Sequence, residues 1–321
     1  MTVKLQDVAK RAGVTVTTVS RVLNDFPHVS KKTHDKVLKA VNDLHYHPNA
    51  LARSLQGKSS KFIGLIFPTI SNPFFSELVN SLEQKLSGKG YKIIIASSAA
   101  NTEAERRYLE MLDGNMVEGI ITGSHNLGIR EYEQVNMPIV SFDRFLSDKI
   151  PIISSDNLKG GQLAAEYLLK KGSKNIAIIT DNDQSKSPTI LRSIGASNTI
   201  KKAGAKYQIF DYPDLQFSEQ TKYEIFKKIF KDNDFDGIFA NNDTTALLAK
   251  KAFKENDQKI PNMIGYDGTT FFRRYLDDFA TIVQPIDTIS DYLIEFLFKR
   301  MADPKREFSK MPLIPVKLYQ G

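Results

Sequence analysis

Apolar residues recur at helical spacing from the start of the chain: Leu5, Val8 and Ala9, then, after a Gly13-Val14-Thr15 break, Val16, Val19, Val22 and Leu23. This pattern predicts two short helices around a tight glycine turn. Ser30 offers an N-cap for a third helix over Lys31 to Leu44, whose positions Val37, Leu38, Val41 and Leu44 complete a small core. A further run, Ala50-Leu51-Ala52-Arg53-Ser54-Leu55-Gln56, opens behind Pro48-Asn49 and stops at Gly57, with Lys58-Ser59-Ser60 as a polar linker. Beyond Lys61 the period changes. Strand-like runs at 62–67, 92–96, 119–122 and 138–142, and again at 175–180, 237–240, 263–266 and 280–283, alternate with amphipathic stretches such as 74–86, 102–112, 158–171 and 243–253. Strand then helix, repeated with short loops, predicts parallel sheets covered on both faces, and two sets of strands predict two lobes. The expected fold class is α/β: a three-helix helix-turn-helix headpiece and hinge helix, then a two-lobed core with two doubly wound parallel sheets.

Charge changes the picture for the first module. Residues 1–58 hold ten Lys or Arg against four Asp, a net of +6, whereas the remainder holds 34 against 33. Basic charge gathered on one small helical module is the footprint of phosphate binding, and such binding weakens steeply with salt. In a helix-turn-helix the second helix enters the major groove with its N-terminal side chains at base edges. That geometry puts Val16, Thr17 and Arg21 at the bases, since arginine suits a bidentate contact with guanine and the methyl groups of valine and threonine suit thymine. Lys4, Ser20, Asn24 and Ser30 fit phosphate contacts.

The run after the headpiece is too short to hold a helix alone in water, so it orders only against a partner copy and DNA. Two such helices side by side in a minor groove would each offer Leu55 as an apolar wedge that kinks the duplex. Asn49, Ala52 and Arg53 join Leu55 in the expected DNA-contacting set. The expected boundaries are a headpiece at 1–47, a hinge and linker at 48–60, and a core at 61–321. Within the core, one lobe takes about 61–156 and 286–309, the other about 157–285 and 310–321.

Several functions are excluded. No apolar run reaches membrane-spanning length and the first residues enter an amphipathic helix, so a cytoplasmic protein with no membrane partner is expected. The chain has no cysteine, which removes disulfides, thiolate catalysis and Cys-ligated zinc. Asp232 to Gly237, with Asp243 at the twelfth place, echoes a calcium loop, yet Gly237-Ile238-Phe239-Ala240 reads as a buried strand where such a loop needs a helix. Gly57-Lys58-Ser59 echoes a phosphate loop, but Ala52 stands at its first glycine. His28, His34, His45 and His47 lack a further ligand at metal spacing. With no dinucleotide fingerprint and no Ser-His-Asp set, we assign no metal, no cofactor and no catalytic residue.

Open parallel sheets bind ligands beyond the carboxyl ends of their strands. There the chain places Asn72, Phe74 and Phe75 after the first strand, Asp143 and Arg144 after 138–142, Asn242 after 237–240, Asp267 after 263–266 and Gln284 after 280–283; Arg192 joins from a helix start. Carboxylates, amides and guanidinium groups offer in-plane partners for vicinal hydroxyls, and aromatic faces suit the C–H face of a sugar ring. A carbohydrate effector is expected.

Asp7-Val8-Ala9-Lys10, Gly13-Val14, Thr18 to Asn24, Val29-Ser30 and Pro48 to Leu55 resemble the lactose and galactose repressor (LacI) family, and the likeness runs the whole chain. Phe67 to Phe75, His125 to Ile129 and Ser141 to Arg144 resemble its sucrose-responsive branch. The resemblance implies a periplasmic-binding-protein-like core. It also implies a homodimeric repressor of a sugar-utilisation operon on palindromic double-stranded DNA, released by sucrose, fructose or a phosphorylated sugar. The same strand-end residues are then the sugar contacts. A corepressor-dependent regulator, a sugar-binding receptor and a sugar-modifying enzyme using Asp143 or Asp267 are the alternatives. Arg192-Ser193-Ile194-Gly195-Ala196 lacks the phenylalanine that relatives often carry after the glycine, which leaves one pocket wall and the ligand size open.

Replacing Arg21 by Ala should relax operator discrimination by about 1–3 kcal/mol at one base pair. A binding-site selection that returned an unchanged base preference would reject this helix register.

Overall fold

The computed structural model describes residues 3–24, 26–46, 59–99, 101–113, 116–124, 126, 128–134, 137–181, 187–212, 218–308 and 311–321. The expected hinge helix, with Asn49, Ala52, Arg53 and Leu55, lies outside the described residues. The chain divides into two compact units, Met1–Ser60 and Lys61–Gly321.

In the first unit, α1 (Leu5–Ala12), α2 (Val16–Leu23) and α3 (Lys31–Asp43) enclose Val8, Ala9, Val19, Val22, Val37 and Ala40. Gly13 takes the left-handed backbone, φ 66°, that closes α1. The Thr15 hydroxyl accepts from Thr18 N at 3.2 Å and Ser30 Oγ from Thr33 N at 3.3 Å, which caps α2 and α3. One expected core residue is misplaced: Leu38 is 40% exposed and Ala40 is buried instead. Positions 37, 40, 41 and 44 form one stripe of a helix, and Leu38 stands a quarter-turn round from it.

The second unit carries two six-stranded sheets. The first lobe runs β1 (Phe62–Phe67), α4 (Pro73–Ser87), β2 (Lys92–Ser97), α5 (Thr102–Asp113), β3 (Gly119–Thr122), α6 (Glu131–Gln134), β4 (Ile139–Phe142) and β5 (Ile152–Ser155). The second runs α7 (Asn157–Lys170), β6 (Asn175–Asp181), α8 (Ile190–Lys202), β7 (Lys206–Tyr212), α9 (Glu219–Lys231), β8 (Gly237–Ala240), α10 (Asp243–Glu255), β9 (Asn262–Asp267), α11 (Thr270–Tyr275) and β10 (Ala280–Val283). The chain then returns to the first lobe with α12 (Ile286–Ala302) and β11 (Leu313–Ile314), and ends in the second with β12 (Lys317–Tyr319).

Strand orders are β11-β5-β4-β3-β1-β2 and β12-β10-β9-β8-β6-β7, parallel throughout except for the β10–β12 pair. Three connections therefore join the lobes, at 155–157, 283–286 and 314–317. The last falls later than the expected change of lobe at 309/310, because Leu313–Ile314 pairs in parallel with Ser154–Ser155. Two residues on a sheet edge carry no readable period, and the same brevity or exposure hid β5, β7, β11 and β12 from the sequence.

Both sheets are held by apolar faces of the expected kind. In the first lobe Leu65, Phe67, Val140 and Ile153 meet Leu78 and Leu82 of α4 and Leu293 and Leu297 of α12. In the second, Ile176, Ile178, Phe239 and Ile264 meet Ala164, Ala165 and Leu168 of α7 with Ala196 and Ile200 of α8. The acidic run at 232–236 is a turn before β8, as expected; the Asp236 carboxylate accepts from the amides of Lys174 and Asn175 at 2.9 and 2.8 Å.

Helices α7 and α8 touch backbone to backbone, and glycines permit it. A Cβ on Gly161 would lie 1.9 Å from the Arg192 carbonyl oxygen, and one on Gly195 would lie 2.2 Å from that of Leu158. This contact fixes the height of Arg192 above the sheet. Gly195→Ala should therefore destabilise the core by at least about 1–3 kcal/mol through overpacking. Gly88→Ala, which meets nothing closer than 3.5 Å, should leave the thermal midpoint nearly unchanged; equal midpoints for the two variants would contradict this account.

Candidate functional site

The carboxyl ends of both sheets face one cleft of about 320 Å³, within the roughly 300–1,000 Å³ typical of small-molecule sites. All nine expected effector residues line it: Asn72, Phe74, Phe75, Asp143, Arg144, Arg192, Asn242, Asp267 and Gln284. Residues not anticipated from the sequence join them, among them Thr69, Thr180, Thr189, Glu219, Lys222 and Asn241.

Arg192, in the first turn of α8, is the most heavily bound member. Its Nε donates to Asn157 Oδ1 at 2.6 Å, Nη1 to the Asn241 carbonyl at 2.9 Å and Nη2 to Asp143 Oδ2 at 3.2 Å. The guanidinium also lies 3.7 Å from the centre of the Tyr266 ring. Burial pushes the Tyr266 hydroxyl well above the usual tyrosine range, so it stays protonated and donates to Asn157 Oδ1 at 3.3 Å. Asp143 takes Ser154 Oγ at 2.6 Å and Asn157 Nδ2 at 2.8 Å on its other oxygen. The result is a charged, mutually hydrogen-bonded cluster whose donors and acceptors have fixed directions.

Two aspartates sit on strained backbone at their strand ends. Asp143 follows β4 with φ 52° and Asp267 ends β9 with φ 108°. Such conformations cost about 1–3 kcal/mol for a residue with a Cβ and persist where surrounding contacts over-determine them. For Asp267 one such contact is Gln284, whose Nε2 donates to Oδ1 at 2.8 Å.

Several bonds cross between the lobes beside the cleft. Asp143 of the first lobe meets Arg192 of the second, Arg144 Nη1 donates to Thr189 Oγ1 at 2.9 Å, and Ser155 Oγ donates to Gln284 Oε1 at 2.7 Å. Glu77 on α4 accepts from the amides of Thr270 and Phe271 at 3.1 and 3.2 Å, capping α11 from across the lobes. Polar groups therefore span the cleft where an effector's hydroxyls would compete for them.

Not every expected contact residue is committed to the cleft alone. Asn72 Oδ1 accepts from Phe74 N and Asn242 Oδ1 from Thr245 N, both at 2.8 Å, so each caps the helix that follows. Phe74 belongs to the first-lobe core, its ring 5.5 Å from that of Phe142, and Phe75 is half-buried with its ring 5.4 Å from Phe67. Asn126, which belongs to the stretch that carries the family resemblance and not to the expected contacts, binds the fully buried carboxylate of Glu105 together with Ser124 and Tyr132. Burial and that carboxylate push the Tyr132 hydroxyl up.

Sequence reasoning missed Asn157. As the first residue of α7 after Asp156 it reads as one more polar helix start, although it joins Asp143, Arg192 and Tyr266.

On the headpiece, Val16, Thr17 and Arg21 are exposed along α2, and the side chain of Lys4 is exposed at the start of α1. The Arg21 guanidinium lies 5.6 Å from the ring centre of Phe26, a half-exposed aromatic not singled out from the sequence. Asn24 turns its amide onto the Ser20 carbonyl, and Ser30 caps α3, so both carry local bonds beside any phosphate contact. Among the described residues no group of three or more His, Cys, Asp or Glu could hold a metal, and no helix is long and apolar enough to cross a membrane.

Comparison with known proteins adds two family matches. Residues 60–319 match the model described as periplasmic binding proteins and sugar binding domain of the LacI family, and residues 4–49 match bacterial regulatory proteins of the lacI family. The chain is 44% identical over 319 residues to a sucrose operon repressor of Lactococcus lactis subsp. lactis, covering 99% of each protein. It is 46% identical over 324 residues to one of Streptococcus mutans, covering 100% of this chain and 99% of the relative. A lac repressor dimer bound to operator and the anti-inducer ONPF superposes with a TM-score of 0.82 at 25% identity, over 100% of this chain and 98% of the other.

Asn157→Ala leaves Arg192 Nε and one carboxylate bond of Asp143 unmet in a buried setting. Each unmet group costs about 1–3 kcal/mol, so the unfolding free energy should fall by an amount of that order and the urea midpoint with it; a wild-type midpoint would contradict the role given to Asn157.

Proposed function

Because this chain belongs to the LacI family of bacterial regulatory proteins, we propose that it represses a sugar-utilisation operon, that of sucrose first, and leaves its operator when a sugar fills the cleft. It is a DNA-binding transcriptional repressor and not an enzyme. The observation that supports the sugar reading is the convergence on one cleft, from both lobes, of nine residues whose chemistry suits hydroxyls and the faces of sugar rings.

In this reading residues 1–47 bind DNA, 48–60 form the hinge, and 61–321 bind the sugar and a second copy of the chain. Val16, Thr17 and Arg21 read bases; Lys4, Ser20, Asn24 and Ser30 meet phosphates; Asn49, Ala52, Arg53 and Leu55 enter the minor groove. Asp143, Arg192, Asp267 and Gln284 meet sugar hydroxyls, with Asn72, Asn242 and Arg144 at the sides and Phe74 and Phe75 against the ring. Sugar binding redraws the bonds between the lobes, and the paired hinge segments lose their register on the duplex. Release requires that the sugar bind the released conformation more tightly than the DNA-bound one, since equal affinity shifts nothing.

The direct test titrates sucrose, D-fructose and their phosphates into the protein on a palindromic duplex and follows dissociation. Release by one of them supports induction; tightening would reassign the sugar as a corepressor. Asp267→Ala should abolish the response while operator affinity without sugar stays at the wild-type level. A normal sugar response in that variant would remove Asp267 from the site.

A further inference from the structure

One buried acid beside the cleft has no place in the contacts assigned above. We propose that Asp243 is a positioning residue for the effector site, holding the Asp267–Gly268 turn in the conformation that presents Asp267 to the sugar. This rests on the reading of the cleft as a sugar site.

Asp243 opens α10, is 1% exposed and does not line the cleft. Its Oδ2 accepts from Gly268 N at 2.8 Å and its Oδ1 from Thr281 Oγ1 at 2.6 Å, so one carboxyl ties α10 to the end of β9 and to β10. The turn it grips is unusual. Asp267 and Gly268 are consecutive positive-φ residues, at 108° and 57°, and nothing intrinsic to an aspartate favours that backbone. Arg273 Nε donates to the Gly268 carbonyl at 2.8 Å, so both polar groups of Gly268 are held.

The surroundings are cut to fit this carboxyl. A Cβ on Gly265 would lie 2.3 Å from Asp243 Oδ1, and one on Gly268 would lie 2.7 Å from Val283 Cα. Asp243 therefore occupies space that a side chain at 265 would take, and the turn at 268 is pressed against β10.

The same arrangement makes the support sensitive to protonation. Burial, and then the charge of neighbouring Asp267, push the Asp243 carboxyl well above the usual carboxylate range, despite the hydrogen bonds from Thr281, Gly268 and Thr269. Asp267 on β9 is the charged neighbour that acts on it, Arg273 on α11 binds the Gly268 carbonyl rather than the carboxyl, and β10 offers the neutral Thr281 hydroxyl. A neutral Asp243 keeps its bonds without repelling Asp267. As pH rises and Asp243 ionises, two carboxylates face each other in a site that a bound sugar shields from water, so sugar affinity falls with rising pH.

Substitutions separate these roles. In Asp243→Asn the amide oxygen still accepts from Gly268 N and the amide nitrogen donates to the Thr281 hydroxyl, with no charge to titrate. Asp243→Ala loses both bonds. The full-length protein on an operator duplex is titrated with sucrose, D-fructose and D-fructose 1-phosphate, each between about pH 6 and 9.

We expect Asp243→Ala to need about tenfold more sugar for half-release and Asp243→Asn to stay within about twofold of wild type near pH 7. Wild type should weaken toward sugar as pH rises while Asp243→Asn stays flat. Should Asp243→Ala fail to fold, Thr281→Val, which removes one of the two bonds made by the Asp243 carboxyl, takes its place and should likewise raise the sugar needed for half-release. A sugar response equal to wild type in Asp243→Ala, or in Thr281→Val where it stands in, overturns the proposal while leaving the sugar site standing, and so does a loss in Asp243→Asn as large as in Asp243→Ala. If none of the three sugars acts on wild type, the sugar reading fails and this proposal with it; if Asp267→Ala responds normally, the sugar reading stands and this proposal falls with the role of Asp267.

Discussion

The core is organised around one buried cation. Arg192 donates to a carboxylate, a side-chain amide and a main-chain carbonyl and lies over the Tyr266 ring, with Asp143 on the opposite lobe. A charge removed from water in this way is tolerable only when every donor is met with good geometry, and removing one partner leaves an uncompensated ion. The pair is thus a poor source of net stability and a strong source of specificity in how the lobes face one another. An effector that offers its own hydroxyls to Asp143 and Arg192 acts on the group that already spans the cleft.

That cation depends on packing some distance from the chemistry. Gly161 and Gly195 let α7 and α8 approach until carbonyl oxygens occupy the space of a Cβ, which sets where Arg192 begins. The glycine in Arg192-Ser193-Ile194-Gly195-Ala196 thus serves helix contact, and buried Ala196 packs with Ala164, Leu168 and Ile200. Asn157 on α7 reaches Arg192 on α8, Asp143 on the first lobe and Tyr266 on β9. One helix contact thereby fixes four members of the site.

The strained strand ends answer to the same economy of parts. Asp143 and Asp267 each adopt a backbone that their own side chains disfavour, and each is surrounded by partners that leave no alternative: Ser154, Asn157 and Arg192 for one, Gln284 and the turn gripped by Asp243 for the other. Preorganised carboxylates meet a ligand without the entropy of ordering them. Among the described residues the bonds across the cleft are polar, and an effector's hydroxyls can exchange with them one for one.

The classes of element and the polar residues at the strand ends can be read along the chain without any fold. Periods of 3.6 and near-continuous apolar runs are local properties, so the headpiece helices, eight strands and the residues that follow them were legible, and the excess charge of residues 1–58 marked the module that meets DNA. Leu38 misled because a helical stripe is only as wide as its partners make it, and Ala40, a residue with little hydrophobic weight, faced the core instead. The rest emerges only on folding: that Leu313–Ile314 extends the first sheet, that Asn157 joins two lobes, that Asn72 and Asn242 cap helices, and that Asp243 holds a turn twenty-five residues away. The physical reason is range. Period and charge are written in neighbours along the chain, whereas a buried polar group has meaning only through the partners that folding brings to it.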